Sequence, residues 1–112
     1  MNEFLLVFRR DYKTPEAQPT AEQLQESLKH WGEWFGKLKA EDKLVAPPHR
    51  FDGAGKILKN DKSVVDGPYL EPKESIGGLI IVKAGSYEEA IKIAEGCPVL
   101  ELGGNVEVRQ AL

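Results

Sequence analysis

Phe4-Leu5-Leu6-Val7-Phe8 is apolar at every position, and Leu79-Ile80-Ile81-Val82 repeats the pattern near the other end of the chain. Successive side chains of a strand point to opposite faces, so a strand with one wet face alternates apolar with polar. Neither run alternates. Both read as strands buried on two sides, and that reading decides the fold.

Working outward, Asp11 to Pro19 holds two prolines among polar residues and reads as a loop. Thr20-Ala21-Glu22-Gln23 fits a capping box, in which the hydroxyl and the amide side chain satisfy free backbone amides at a helix start. Leu24, Leu28, Trp31, Phe35 and Leu38 then recur at helical spacing and form one narrow stripe, expected to be core. Beside it run Ser27, His30, Trp34, Lys37 and Glu41. A solvated edge would not normally carry Trp34, so this edge is expected to face a cleft or a second subunit.

From Leu44 to Gly55 the chain reads as irregular, because Pro47-Pro48 and Gly53-Ala54-Gly55 interrupt any long element. Lys56 to Lys59 and Lys62 to Val65 predict a β-hairpin turning on Asn60-Asp61. Ser86-Tyr87-Glu88-Glu89 is a second capping box, opening a helix with Ala90, Ile91, Ile93 and Ala94 that Gly96 and Pro98 stop. Gly103-Gly104 leads into a last strand, where Val106 and Val108 alternate with Glu107 and Arg109. The order β-α-β-β-β-α-β is α+β, a ferredoxin-like split βαβ with an extra β-hairpin and an antiparallel sheet. Helices in that plan cover one sheet face. About five bulky groups are left on the other, each worth roughly 1.5–3 kcal/mol when buried. That sum rivals the whole stability of a domain, about 5–15 kcal/mol. A second copy packed sheet to sheet is the simplest cover, which predicts a homodimer.

Composition narrows the function classes. The 112 residues suit one domain, residues 1–112, with no repeat or linker. A net charge of −3 without like-charge runs gives no electrostatic reason to expect nucleic acid or a membrane as partner. The lone Cys97 cannot form an internal disulfide, and it is read as structural. No Cys/His spacing suggests a metal, and no organic cofactor is expected. The apolar run Phe4 to Phe8 is too short for a secretory signal or a membrane span, which predicts a cytoplasmic protein.

Val65-Asp66-Gly67-Pro68-Tyr69, then Glu71-Pro72-Lys73-Glu74 and Gly77-Gly78, resembles the signature of DGPF proteins in the YCII-related family. Tyr69 stands where that signature usually has Phe. Gly96-Cys97-Pro98 and Gly104-Asn105-Val106-Glu107-Val108-Arg109 are similar to the family's closing pattern. The opening strand and a helix bearing a His extend the resemblance over nearly the whole chain. It implies a dimeric α/β barrel made of two ferredoxin-like halves, with a His–Asp pair in a pocket. It also implies an association with alternative sigma factors, and no settled activity.

Asp66 at a strand end could accept a proton or orient a histidine, or it could simply cap the Asp-Gly-Pro turn. His30, off the core stripe, titrates near neutrality and would complete an acid–base couple; otherwise it is a half-exposed helix histidine. His49, after Pro47-Pro48, competes for that role. Lys73 and Glu74 could bind an anion and relay a proton, or form an exposed pair. Trp34 and Tyr69 could line a ligand pocket or fill the subunit contact. Gly77 and Gly78 suit close backbone packing better than phosphate binding, since no helix start follows them. Three uses stay open: a cofactor-independent small-molecule enzyme using Asp66 with His30 near the dimer interface, a non-catalytic ligand-binding module, and a protein-interaction, sigma-factor-associated accessory module.

Overall fold

A computed structural model describes residues 1–52, 54–67 and 75–112, apart from the Pro47 side chain. The elements run β1 (Asn2–Arg9), α1 (Ala21–Ala40), β2 (Leu44–Arg50), β3 (Gly55–Leu58), β4 (Val64–Gly67), β5 (Ile76–Ala84), α2 (Tyr87–Ala94) and β6 (Asn105–Gln110), with 3-10 turns at Pro15–Ala17 and Pro98–Leu102. Four strands form one sheet in the order β2-β5-β1-β6, while β3 and β4 pair only with each other. All the pairings are antiparallel. The plan is the ferredoxin-like split βαβ, with the hairpin inserted between its second and third strands.

Both apolar strands lie at the middle of the sheet, where Phe4 faces Val82 and Leu6 faces Ile80. Phe4, Leu6, Ile80 and Val82 have no exposed surface. With Phe8 and Ala84 they meet Trp34, Leu38, Ala90, Ile93, Ala94 and Val99 in one core. Val106 and Val108 pack on its margin, as their alternation predicts. On the other face Val7 is buried, but Leu5, Leu79 and Ile81 are only half-buried.

Three expectations are corrected. Leu44 to Arg50 is a strand and not an irregular stretch. It sits at the sheet edge, where proline's missing amide costs no ladder bond, and its register with β5 slips on either side of Ala46. The buried side of α1 is rotated from the predicted stripe: Ser27, Trp34 and Leu38 are buried, while Leu24 and Leu28 are 40% and 65% exposed. Trp34, expected on an edge facing a cleft or a second subunit, is a buried member of the core. Its indole nitrogen donates to the Ile93 carbonyl at 3.2 Å, and Phe8 stacks against both Trp31 and Trp34. The hairpin loop is also longer than two residues. Lys62 carries the positive φ, 70°, between the bonds Lys62 N–H to Lys59 and Lys59 N–H to Ser63.

Capping follows the sequence at Thr20, where both halves of the box form. At Ser86 one half forms: the hydroxyl accepts from Glu89 N–H, but the Glu89 carboxylate takes the Gly85 amide. The hairpin stands away from this frame. Leu58, Val64 and Val65 remain 70%, 61% and 38% exposed. The radius of gyration, 15.3 Å, exceeds the roughly 13 Å of a compact chain of about 100 residues.

Candidate functional site

The chemistry-bearing residues gather at one end of the helix-covered face. Phe8 packs edge-to-face against Trp34 and Trp31, and one turn nearer the start of α1 the helix presents His30 to the Pro98–Leu102 turn. Glu101 on that turn meets His30: both of its carboxylate oxygens lie 2.9 Å from Nδ1. The Glu26 carboxylate, one helical turn before His30, lies 3.1 Å from Nε2. A carboxylate only accepts, so the ring satisfies both neighbours at once when it is the imidazolium. The hydrogen bond to Glu101 raises the His30 pKa above its ordinary 6.5, and the charge of Glu26 adds to the effect against a smaller desolvation cost. Glu101 is 50% exposed and Glu26 64%, so both carboxylates can exchange with water or a ligand.

Arg10, just past the end of β1, is buried. Its guanidinium stacks 4.1 Å above the Tyr12 ring and donates to Gln18 Oε1 and to the Asp11 carbonyl, both at 3.3 Å. Two glycines make this possible. A Cβ on Gly77 would fall 1.8 Å from the Tyr12 hydroxyl, and one on Gly104 would meet the Arg9 carbonyl, Arg10 Cβ and the Val99 side chain. Gly78 likewise lies under the His49 carbonyl. Gly77 and Gly78 admit close packing, as expected; Gly104 does so too, and the group packed at Gly77 and Gly104 is the Arg10–Tyr12 stack. Ser27 Oγ is buried without a hydrogen-bond partner.

The predicted pair is not assembled within the chain. Asp66 lies on β4 opposite Lys56, to whose ammonium its 86% exposed carboxylate is bound. His30 has Glu101 in the place foreseen for Asp66. His49 is exposed on the edge strand opposite Leu79, with no hydrogen bond or ion pair among the described residues. Tyr69, Lys73 and Glu74 lie outside the described residues. Cys97 is buried, and burial pushes its thiol up to about 12, which suits a structural role. Among the described residues no group of three His, Cys, Asp or Glu side chains could hold a metal ion. No helix among them is long and apolar enough to cross a membrane.

Sequence reasoning missed Glu101, Arg10 and Tyr12. Glu101 is 71 positions from His30, and nothing local marks it. Gly77 and Gly104 were a signal, since a glycine under close approach implies a neighbour worth seating, but they do not say which one.

Comparison with known proteins adds two findings. Residues 5–111 match the YCII-related domain. Among solved structures, the chain is similar to 5-chloro-2-hydroxyhydroquinone dehydrochlorinase from Burkholderia phenoliruptrix in complex with 2,5-dihydroxybenzoquinone, at 20% identity and a TM-score of 0.49, over 97% of this chain and 93% of that one. No curated protein matches the sequence.

Proposed function

The chain belongs to the YCII-related domain family, and on that premise we propose that it is a homodimer that binds a small molecule beside His30 and uses that histidine as a proton donor. The observation that carries the reading is the double carboxylate clamp on His30. Glu101 orients the ring and keeps it protonated. Glu26, on the more exposed side, is the partner a ligand would displace to receive the Nε2 proton. This assignment replaces Asp66 by Glu101 as the carboxylate of the couple. Asp66, carried on the hairpin, is then a residue of the subunit contact or of its margin.

Two features support the dimer. Leu5, Val7, Leu79 and Ile81 are mutual neighbours on the face that no helix covers. The hairpin is a two-stranded unit with exposed apolar side chains on both of its faces, and such a unit is marginal alone in water. A second copy would cover both, at the scale of about 800 Å² per partner that a stable interface buries.

A small-molecule library screened by NMR against the His30 ring protons tests the site. Bound compounds should move the His30 signals, and any turnover should vanish in His30→Gln with the fold intact. Turnover that persists in His30→Gln would remove the catalytic reading. A second reading, ligand binding without chemistry, is favoured by one observation: both ring nitrogens already hold carboxylates. Binding at His30 without product formation would select it.

A further inference from the structure

We propose that Arg10 anchors the carboxylate of a small, apolar-bodied monoanion at the β1 end of the helix-covered face. The proposal takes the place of the site from the reading above, but requires no proton transfer there.

Arg10 keeps only 8% of its surface. Among the described residues its hydrogen bonds both leave from Nη1, at a long 3.3 Å, while Nε and Nη2 make none. No carboxylate there forms an ion pair with it. Hydrogen bonds from Thr14 and Lys13, with a smaller contribution from the Arg10 charge, lower the pKa of the neighbouring Asp11. Its Oδ1 is held by those two amides, and it makes no ion pair with the guanidinium. Arg9 is paired with Glu107, so among the described residues it is Arg10 that lacks an ion-pair partner. A buried guanidinium without a carboxylate is costly, and stacking on Tyr12 compensates only part of that cost. A second unmet group, the Ser27 hydroxyl, lies on α1, the helix that meets the Pro98–Leu102 turn. Val99 of that turn and Arg10 flank the same Gly104.

The chemistry of the surroundings selects the ligand class. The guanidinium edge carrying Nε and Nη2 offers two parallel donors, the fork that matches a planar carboxylate. One fixed cation compensates one negative charge. The neighbouring Asp11 carboxylate, which already feels the Arg10 charge, opposes a second and so disfavours a phosphate dianion. The Tyr12 ring under the guanidinium and Val99 beside Arg10 give that end apolar and aromatic surface, which suits an apolar body.

The test follows the Arg10 Nε–H resonance while benzoate is added to the intact protein, from micromolar to tens of millimolar. A saturable shift is expected. Arg10→Met should weaken benzoate at least about tenfold, and Arg10→Lys, which keeps the charge but not the fork, should weaken it less. His30→Gln should leave the Arg10 response in place, so failure of the catalytic reading and failure of this one are distinguishable. An Arg10 signal that never moves would overturn the proposal, as would benzoate binding that survives Arg10→Met. A stronger response to inorganic phosphate than to benzoate would overturn the carboxylate class. Should Arg10→Met fail to fold, the wild-type titration decides alone.

Discussion

The two faces of the four-stranded sheet are built from the same kinds of residue and end differently. Phe4, Leu6, Ile80 and Val82 lose all contact with water under the helices. Leu5, Leu79 and Ile81, one position along the same strands, stop half-buried, with the Arg9–Glu107 pair beside them. A continuous apolar run states that both faces of a strand leave water. It does not state whether the chain itself supplies both covers. Here the described residues supply one, and the hairpin repeats the lesson with Leu58 and Val64.

The largest effects should separate the faces by what fails. Leu6→Ala, on the covered face, opens a cavity in a core without slack and should cost about 2–5 kcal/mol in denaturant unfolding. Ile81→Asp, on the open face, should leave the far-ultraviolet circular dichroism of the chain intact and weaken self-association about a hundredfold or more, since it buries an unpaired charge in the seam. Light scattering should give about twice 12.4 kDa for the wild type and one chain mass for Ile81→Asp. A wild type that is monomeric and well folded at micromolar concentration would break the comparison, because the open face would then tolerate water.

Helix α1 offers the same contrast on a smaller scale. Trp34→Phe deletes the donor to the Ile93 carbonyl inside the core and should cost about 1–3 kcal/mol in thermal or denaturant unfolding. Leu28→Gln, on the exposed flank, should stay within about 0.5 kcal/mol. An order that came out reversed would restore the stripe that spacing alone suggests.

That stripe shows how far the sequence was legible. Its period was right and its phase was about one position off, because Trp31 and Trp34 lie on adjacent edges and spacing cannot say which indole finds a carbonyl for its N–H. The split βαβ plan, both helices, the hairpin and the Thr20 cap were readable, since each is marked by local pattern, but the order came out one strand short. The edge strand Leu44–Arg50 was not, because prolines usually end strands and only the topology reveals that this one lies where they are tolerated. The site was legible by half. His30 stood out by residue type and by its place off the core, but its carboxylate partner comes from a turn 71 positions away. Asp66 stood out by its motif, and in the fold it meets Lys56.

The smallest effect is the one that decides between those two carboxylates. Glu101 holds the His30 ring through Nδ1, and its hydrogen bond favours the imidazolium. A histidine whose pKa is raised on folding adds stability that is fully present below the unfolded value of about 6.5. The contribution is lost as pH rises through the folded value, because the folded ring then releases the proton that the unfolded ring has already lost. Wild-type stability should therefore fall slightly across that window, and Glu101→Gln should flatten the fall. In ring-proton NMR titrations Glu101→Gln should lower the His30 pKa, and Glu26→Gln should lower it less, since Glu26 contributes mainly through space. Asp66→Asn should leave it unchanged and should alter stability by no more than a few tenths of a kcal/mol, the usual scale of an exposed ion pair. A His30 pKa that drops in Asp66→Asn and holds in Glu101→Gln would show that Asp66 reaches the ring in the assembled protein, and the couple would pass from Glu101 to Asp66.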